Sequence, residues 1–267
     1  MNEAINEKPI GVFDSGIGGL TVVRELRRLL PSEDIVYLGD SARVPYGNKS
    51  AETIKKFGFQ DASFLVKMGV KLIVVACNTV SSVALEYLRE TFKDVPFFGV
   101  VEPGVKVAVE KSKTKKVGVI GTIATIKSEA HKKLFPSGFE VIGKPCPLFV
   151  PLAEEGITSG PIAKSVAEFY LAEIKEKVDT VILGCTHYPV LKSTIKEVLG
   201  DQIELVDPAE EVAKEVYNYL KLNALLNSAG GNLDIYLTDI PPHYESLISR
   251  FLGERANNIR KVDIENL

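Results

Sequence analysis

Two cysteines stand in matching sequence contexts, and their chemistry is the first indication of function. Cys77 follows the apolar run 72–76, and Cys185 follows the largely apolar run 180–184. A free cysteine titrates at about 8.5, so a thiolate and a thiol can coexist in one site near neutral pH. The thiolate can remove a proton from a carbon acid while the thiol on the opposite face returns one. The product is the mirror image of the substrate, so the pair suits a two-base racemisation.

Polar residues close to the cysteines extend this hypothesis. Asp14 and His187 could exchange a proton with a thiol or orient it, although Asp14 could instead cap the helix that follows it. Neutral groups that could bind the carboxylate and ammonium of an amino acid follow the predicted strands, namely Ser15, Asn78, Thr79 and Thr186. The Pro45-Tyr46-Gly47 segment forms a rigid turn in a loop after a strand, where binding groups are common.

Other interpretations of the cysteines stay open at this point. A cysteine at a strand end is often a small buried apolar residue. We interpret Cys146, in a loop between Pro145 and Pro147, as structural. A zinc site made of Cys77, Cys185, His187 and Asp14 matches no common ligand spacing. A covalent thiol enzyme would use one cysteine and leave the other unexplained. A two-lobed binding protein would share the cleft but would need no cysteine there.

The elements that must position these residues alternate between strands and helices. Short runs rich in β-branched residues predict buried parallel strands. Helical spacing follows each cysteine, over 83–92 and over 190–199. We therefore expect each thiol at the carboxyl end of a strand and close to a helix N-terminus. Ligands bind at that edge of open α/β sheets, and the helix dipole there favours a thiolate.

The chain repeats its plan once. Cys77 lies 66 positions after Gly11, and Cys185 lies 67 positions after Gly118. Each of these glycines belongs to a predicted strand that opens one half of the chain. The spacing predicts an internal duplication.

We expect an α/β fold of two similar lobes with mainly parallel sheets, related by a pseudo-twofold. Each lobe would present the carboxyl ends of its strands to a cleft between them, which would hold the active site. We expect a discontinuous first lobe made of residues 1–98 and roughly 208–267, and a second lobe made of residues 99–207.

Composition and charge narrow the class of protein. The chain has 267 residues, of which 45% are hydrophobic and 25% charged, as in an ordinary globular protein. A net charge of −3 gives no electrostatic footprint for nucleic acid or an anionic membrane. We see neither a signal peptide in residues 1–8 nor an apolar run near the roughly 20 residues of a membrane span. Three cysteines make a disulfide framework improbable, so we expect a cytoplasmic protein.

Five motifs, taken together, match one known family. They are Gly11-Val12-Phe13-Asp14-Ser15-Gly16-Ile17-Gly18-Gly19-Leu20-Thr21-Val22, Gly39-Asp40, Pro45-Tyr46-Gly47, Ala76-Cys77-Asn78-Thr79 and Gly184-Cys185-Thr186-His187-Tyr188-Pro189. With them the chain resembles the glutamate racemases, which belong to the cofactor-independent aspartate/glutamate racemases. The resemblance runs from about residue 10 to residue 207, and the tail after about residue 221 carries little of it. The combined set of motifs is highly specific.

The resemblance implies a two-base mechanism without cofactor or metal. Cys77 would take the α-proton of D-glutamate, and Cys185 would take that of L-glutamate. Residues at the family's glutamate-binding positions are Asp14, Ser15, Tyr46, Gly47, Asn78, Thr79, Thr186 and His187, with Pro45 in the same turn. Glu154 lies where the family places an acidic residue near the Cys185 side, so it joins the cysteines, Asp14 and His187 as a catalytic candidate.

The resemblance also implies a biological role and a set of partners. The expected role is to supply D-glutamate for bacterial peptidoglycan. Glutamate is the expected substrate, and we expect a homodimer with no nucleic-acid or membrane partner. Two alternatives are kept. One is a racemase of aspartate or another acidic amino acid, and the other is an amino-acid-binding module without turnover.

Overall fold

Short parallel strands and the helices between them form the framework of the protein, in a computed structural model that describes residues 5–240 and 242–265. The strands are β1 (Ile10–Asp14), β2 (Ile35–Gly39), β3 (Leu72–Val75), β4 (Phe97–Gly99), β5 (Lys116–Gly121), β6 (Glu140–Pro145), β7 (Thr180–Gly184), β8 (Glu204–Val206), β9 (Leu233–Leu237) and β10 (Asn258–Lys261). The helices are α1 (Leu20–Leu29), α2 (Ala51–Lys67), α3 (Asn78–Val83), α4 (Leu85–Thr91), α5 (Val101–Lys111), α6 (Ile123–Ser128), α7 (Ala130–Leu134), α8 (Phe149–Glu154), α9 (Gly160–Leu171), α10 (Lys192–Leu199), α11 (Ala209–Leu222) and α12 (Tyr244–Leu252).

The strands form two sheets whose topology repeats. The first sheet has the order β10-β9-β2-β1-β3-β4, and the second has the order β6-β5-β7-β8. The paired strands within each sheet run parallel. The order β2-β1-β3-β4 is the same as β6-β5-β7-β8, which is the relation that a duplication predicts. The α/β class with parallel sheets is confirmed, and each sheet is the centre of one lobe.

The end of the chain returns to the first sheet. Leu233 of β9 pairs with Ile35 of β2, and β10 pairs with β9 at the sheet edge. This pairing supports our division of the chain into a discontinuous first lobe and a second lobe, with boundaries that stay a prediction. The parts of the predicted first lobe at residues 1–4, 241 and 266–267 lie outside the described residues.

One segment differs from its predicted structure. The sequence suggests a strand over 95–100 that ends near Pro103, whereas β4 is shorter and α5 already begins at Val101. Proline is tolerated in the first turn of a helix because the N–H groups there have no partner within the helix. Pro103 and Gly104 therefore do not end the regular structure at this point.

The strands that carry the cysteines are fully buried. Every residue of β3 and of β7 is buried, as expected for parallel strands covered on both faces. Burying one large aliphatic side chain contributes about 1.5–3 kcal/mol, so these strands are firm supports for the cysteines at their carboxyl ends. Among the described residues, no helix combines the length and the apolar character needed to cross a membrane.

Candidate active site

A small cavity lies among the loops that follow β1, β2, β3, β5 and β7, beside α8, and so between the two lobes. The free space inside it is about 20 Å³, so the cavity is nearly closed. The residues that line it are Ser15, Val44, Pro45, Tyr46, Gly47, Cys77, Asn78, Thr79, Thr122, Val150, Cys185, Thr186 and His187. Both cysteines and the predicted substrate-binding residues other than Asp14 therefore line one cavity. Asp14 is fully buried behind it, and Glu154 lines an adjoining, more open pocket.

Cys77, Ser15 and Asp14 form what we call the Cys77 half of the site. Cys77 is the residue directly before α3, and its Sγ lies 3.7 Å from Ser15 Oγ. Burial raises the pKa of the Cys77 thiol to about 12, and the negative charge of Asp14 acts in the same direction. This differs from the expectation that a helix N-terminus favours the thiolate. The reason is that the loss of hydration outweighs the backbone N–H of Val80 in α3, which lowers the pKa.

Cys185, His187 and Glu154 form the Cys185 half of the site. Cys185 Sγ lies 3.8 Å from His187 Nδ1, and His187 Nε2 lies 3.1 Å from Glu154 Oε1. Burial alone would lower the pKa of His187. The hydrogen bonds with Cys185 and Glu154 outweigh that effect and raise the pKa to about 10. The result is a continuous path from thiol to imidazole to carboxylate.

The backbone after the two cysteines is not the same. α3 begins directly after Cys77, whereas a 3-10 turn at Tyr188–Leu191 separates Cys185 from α10. A helix N-terminus therefore follows Cys77 directly, whereas α10 begins seven residues after Cys185, beyond the 3-10 turn.

Asp14 connects the two halves. Its Oδ2 accepts hydrogen bonds from the backbone N–H groups of Gly16 and Gly19, at 3.2 and 3.0 Å. Its Oδ1 accepts a hydrogen bond from Thr186 Oγ1 at 3.4 Å. Burial raises the pKa of Asp14, while the charge of His187 and the backbone N–H groups oppose that rise. Asp14 thus stabilises the turn before α1 and also reaches the Cys185 side of the cavity.

The glycine-rich loop after β1 allows the two lobes to come close together. A Cβ atom on Gly18 would lie 2.5 Å from Thr186 Oγ1 and 2.7 Å from His187 Nδ1. Such distances are shorter than any real Cβ contact, so a side chain at this position would push the lobes apart. Glycine is required here for the approach of one chain segment to another.

The Pro45-Tyr46-Gly47 turn is held by a buried polar network. The Tyr46 hydroxyl donates a hydrogen bond to the Asp40 carboxylate and lies 3.0 Å from Asp61 Oδ2. Arg43 Nε pairs with the same Asp40 oxygen at 2.6 Å. Burial and the nearby Asp40 raise the pKa of Asp61 well above its usual range. Tyr46 therefore anchors the turn through its hydroxyl, a role that the sequence pattern did not indicate.

Sequence reasoning missed three residues of the cavity, Thr122, Val44 and Val150. A signal for Thr122 was present, because it lies four positions after Gly118, as Ser15 lies four after Gly11. Thr122 Oγ1 is hydrogen-bonded to Thr79 Oγ1 at 2.9 Å across the two lobes. Apolar residues such as Val44 and Val150 carry no chemical signature, and no sequence signal pointed to them. Within residues 5–240 and 242–265, no group of three or more His, Cys, Asp or Glu residues could hold a metal ion.

The comparisons with known proteins agree with this fold. Residues 10–216 match the model of the Asp/Glu/hydantoin racemase family. The chain belongs to this family. A relative from Aquifex pyrophilus named glutamate racemase is 51% identical over 91% of this chain and 94% of its own length. The glutamate racemase of Geobacter metallireducens is 47% identical over 97% of each chain.

Solved structures give the same result. A glutamate racemase from Francisella tularensis, in complex with D-glutamate, superposes with a TM-score of 0.93 at 42% identity and covers 98% of this chain and 100% of its own. One from Thermus thermophilus, in complex with beta-chloro-D-alanine, gives a TM-score of 0.89 at 47% identity and covers 98% of this chain and 99% of its own. Picrophilus torridus aspartate racemase shares the fold alone, at 17% identity with a TM-score of 0.55, covering 83% of this chain and 100% of its own.

Proposed function

We propose that this protein interconverts L-glutamate and D-glutamate by two-base proton transfer, with Cys77 and Cys185 as the alternating acid and base. One observation carries the proposal above all. Two cysteines at equivalent positions of the duplicated fold line the same cavity. Burial as small apolar residues would not require both of them at one cavity. The relatives named above, with identities near 50%, support glutamate as the substrate.

The chemistry follows from the protonation states. With a pKa of about 12, Cys77 is a thiol at neutral pH and is ready to donate a proton. When Cys185 removes the α-proton of L-glutamate, Cys77 can protonate the opposite face and give D-glutamate. With a pKa of about 10, His187 is protonated at neutral pH, so it can stabilise the Cys185 thiolate and return a proton to it, while Glu154 stabilises the imidazolium. In the reverse direction Cys77 must lose its proton first, and Asp14 is the candidate acceptor.

Neutral polar groups in the cavity would hold the amino-acid moiety. Asn78 is buried, and its Oδ1 has no hydrogen-bond partner among the described residues. An unpaired acceptor in such a place is costly, and an ammonium group would satisfy it. Ser15, Thr79 and Thr186 add hydroxyl groups that can donate to a carboxylate. We therefore infer that the substrate's α-amino and α-carboxylate groups lie between the cysteines and these residues.

The remaining expectations rest on this function and stay predictions. They are the supply of D-glutamate for peptidoglycan, a cytoplasmic location, a homodimer, and independence from a cofactor or metal.

The test uses the purified protein in D₂O with L-glutamate and no added cofactor. We expect loss of the Cα proton signal in NMR and a parallel loss of optical rotation. Exchange without inversion would contradict the role of the second cysteine. Faster turnover of aspartate than of glutamate would move the substrate to the alternative racemase. No reaction of either amino acid by folded, reduced protein would favour a binding module.

A further inference from the structure

Helix α12 brings two consecutive residues to the Cys185 half of the site. The helix packs on α1 of the first lobe, with Leu247, Ile248 and Leu252 buried. Arg250 Nη1 donates hydrogen bonds to the backbone carbonyls of Ala153 and Glu154, each at 2.9 Å. The ring of Phe251, the next residue, lies edge-on to the His187 ring with centroids 5.2 Å apart.

Arg250 contacts the C-terminal end of α8. The carbonyls that it binds close α8, where the last carbonyl groups of a helix lack i+4 partners. The Ala153 carbonyl also accepts a longer bond, at 3.3 Å, from the N–H of Gly156. A cation at a helix C-terminus also interacts favourably with the helix dipole, and charge-assisted hydrogen bonds are among the stronger ones. The absence of a side chain at Gly156 leaves room for the Arg250 guanidinium. Gly156 has φ +75°, and a Cβ there would lie 2.5 Å from Arg250 Nη2.

The position of Glu154 depends on this helix end. Glu154 is the last residue of α8, a helix of six residues, and its side chain is 35% exposed. A helix this short has little stability of its own. Its carboxylate must nevertheless stay within 3.1 Å of His187 Nε2 to hold the imidazole in line with Cys185. Arg250 fixes the backbone of Glu154, and Phe251 limits the rotation of the His187 ring.

We propose that Arg250 and Phe251 are positioning residues for the proton relay of the Cys185 half, a proposal that rests on the proposed function. The first lobe, through α12, thereby sets the geometry of an acid–base group in the second lobe. α12 lies outside the duplicated strands, so the Cys77 half has no counterpart of this contact in the repeat. The chain after about residue 221 carries little of the sequence resemblance. By this proposal, two of its residues hold the acid–base groups of the Cys185 half in position.

The test compares Arg250→Met with a matched control, Arg27→Met. Methionine keeps an unbranched apolar side chain but removes the charge and the donors. Arg27 on α1 also binds the late part of the chain, through Glu254 Oε1 at 3.0 Å and the carbonyl of Gly231 at 3.1 Å, and these hydrogen bonds go to no residue of the site. We expect Arg250→Met to lower kcat about tenfold with little change in KM, since it weakens acid–base assistance and not binding. Arg27→Met should leave kcat within about twofold.

Two further measurements separate positioning from general destabilisation. In NMR, the His187 imidazole should titrate at lower pH in Arg250→Met than in the parent protein, because Glu154 no longer stabilises its protonated form. This titration needs no turnover, so it tests the positioning even if the parent protein does not racemise glutamate. In a Glu154→Gln background, Arg250→Met should cause little additional loss of kcat, because the two residues act as one unit.

Arg250→Lys should recover part of the activity, since an ammonium group can donate to the same carbonyls. Three results would overturn the proposal. They are equal losses in Arg250→Met and Arg27→Met, an unchanged His187 titration, or additive effects of the Arg250 and Glu154 substitutions. If Arg250→Met does not fold, both measurements are made on Arg250→Lys: a His187 titration and a kcat equal to those of the parent protein would overturn the proposal. Absence of turnover in the parent protein would instead contradict the proposed function.

Discussion

The two halves of the site share a strand-to-cysteine plan but differ in what surrounds each thiol. On the Cys77 half, the thiol faces a serine hydroxyl, and burial together with Asp14 raises its pKa to about 12. On the Cys185 half, the thiol faces an imidazole whose pKa is raised to about 10. Duplication has therefore kept the positions of the thiols while their proton partners have diverged. Opposite faces of a substrate need equivalent positions and do not need identical chemistry.

Thermodynamics limits how this difference can be observed. L- and D-glutamate have equal free energies in water, so the equilibrium constant is one. The ratio kcat/KM must then be equal in the two directions for the parent protein and for every variant. A difference in rate between the proton transfers at Cys77 and Cys185 can therefore be detected only in kcat and KM separately, or in isotope effects on the individual transfers.

The largest effect is expected when either thiol is removed. Cys77→Ala and Cys185→Ala should each lower racemisation by about 10³-fold or more, because each removes an acid–base group that both directions need. Glutamate binding, measured by calorimetry, should be largely retained. Cys146→Ala is the matched control, because Cys146 is equally buried but does not line the cavity. Full activity in either of the first two variants would contradict the two-thiol mechanism.

A smaller effect should reveal the difference between the halves. His187→Gln should lower kcat about 100-fold and Asp14→Asn about tenfold, since both assist a thiol that remains in place. In His187→Gln, transfer at Cys185 becomes rate-limiting. The primary isotope effect should then grow with α-deuterated L-glutamate and shrink with α-deuterated D-glutamate.

Asp14→Asn should show the reverse pattern of isotope effects, because it slows transfer at Cys77. The measurement is the initial rate of racemisation with each labelled enantiomer, followed by circular dichroism. The same pattern in both variants would mean that these residues do not belong to separate halves.

The smallest effect concerns stability. The pKa of His187 is about 10 in the folded protein and about 6.5 in an unfolded chain, so folding favours its protonated form. The resulting stabilisation is complete below about pH 6.5 and is lost as the pH rises to about 10. We expect the parent protein to exceed His187→Gln in free energy of unfolding by about 2 kcal/mol at pH 6, because glutamine retains part of the hydrogen bonding.

Urea unfolding of both proteins at pH 6, 8 and 10 measures this difference. The advantage of the parent protein should shrink steadily across the series. A constant difference would show that His187 gains no proton on folding.

Much of the site could be predicted from local sequence because its residues follow strands. Strand ends are set by short apolar runs, and parallel pairing brings their carboxyl ends to one edge. Ser15, Asn78 and Thr186 could be placed in this way. Thr122 could have been found by the same argument, because it occupies the position of Ser15 in the repeat. Val150 could not, since α8 is a short helix without a clear periodic pattern.

The pKa values of the site residues could not be predicted from the sequence. The sequence suggests that a helix N-terminus lowers the pKa of each thiol, yet the pKa of Cys77 is raised. Loss of hydration depends on how many atoms from distant segments surround a group, and no local pattern contains that number. The hydrogen bonds that anchor Tyr46 could not be predicted either, because Asp40 and Asp61 meet the Tyr46 hydroxyl only in the folded chain.

The order of residues along the chain specifies the alternation of strands and helices, the duplication, and the cysteines that end matching strands. These features depend on residue periodicity and spacing, which act over short distances along the chain. Which groups meet across the lobes depends on the three-dimensional fold. Thr79 lies against Thr122, Gly18 against Thr186, and α12 against the end of α8. Such contacts join residues far apart in the chain, and they are selected by packing, burial and charge, which no short stretch of sequence contains.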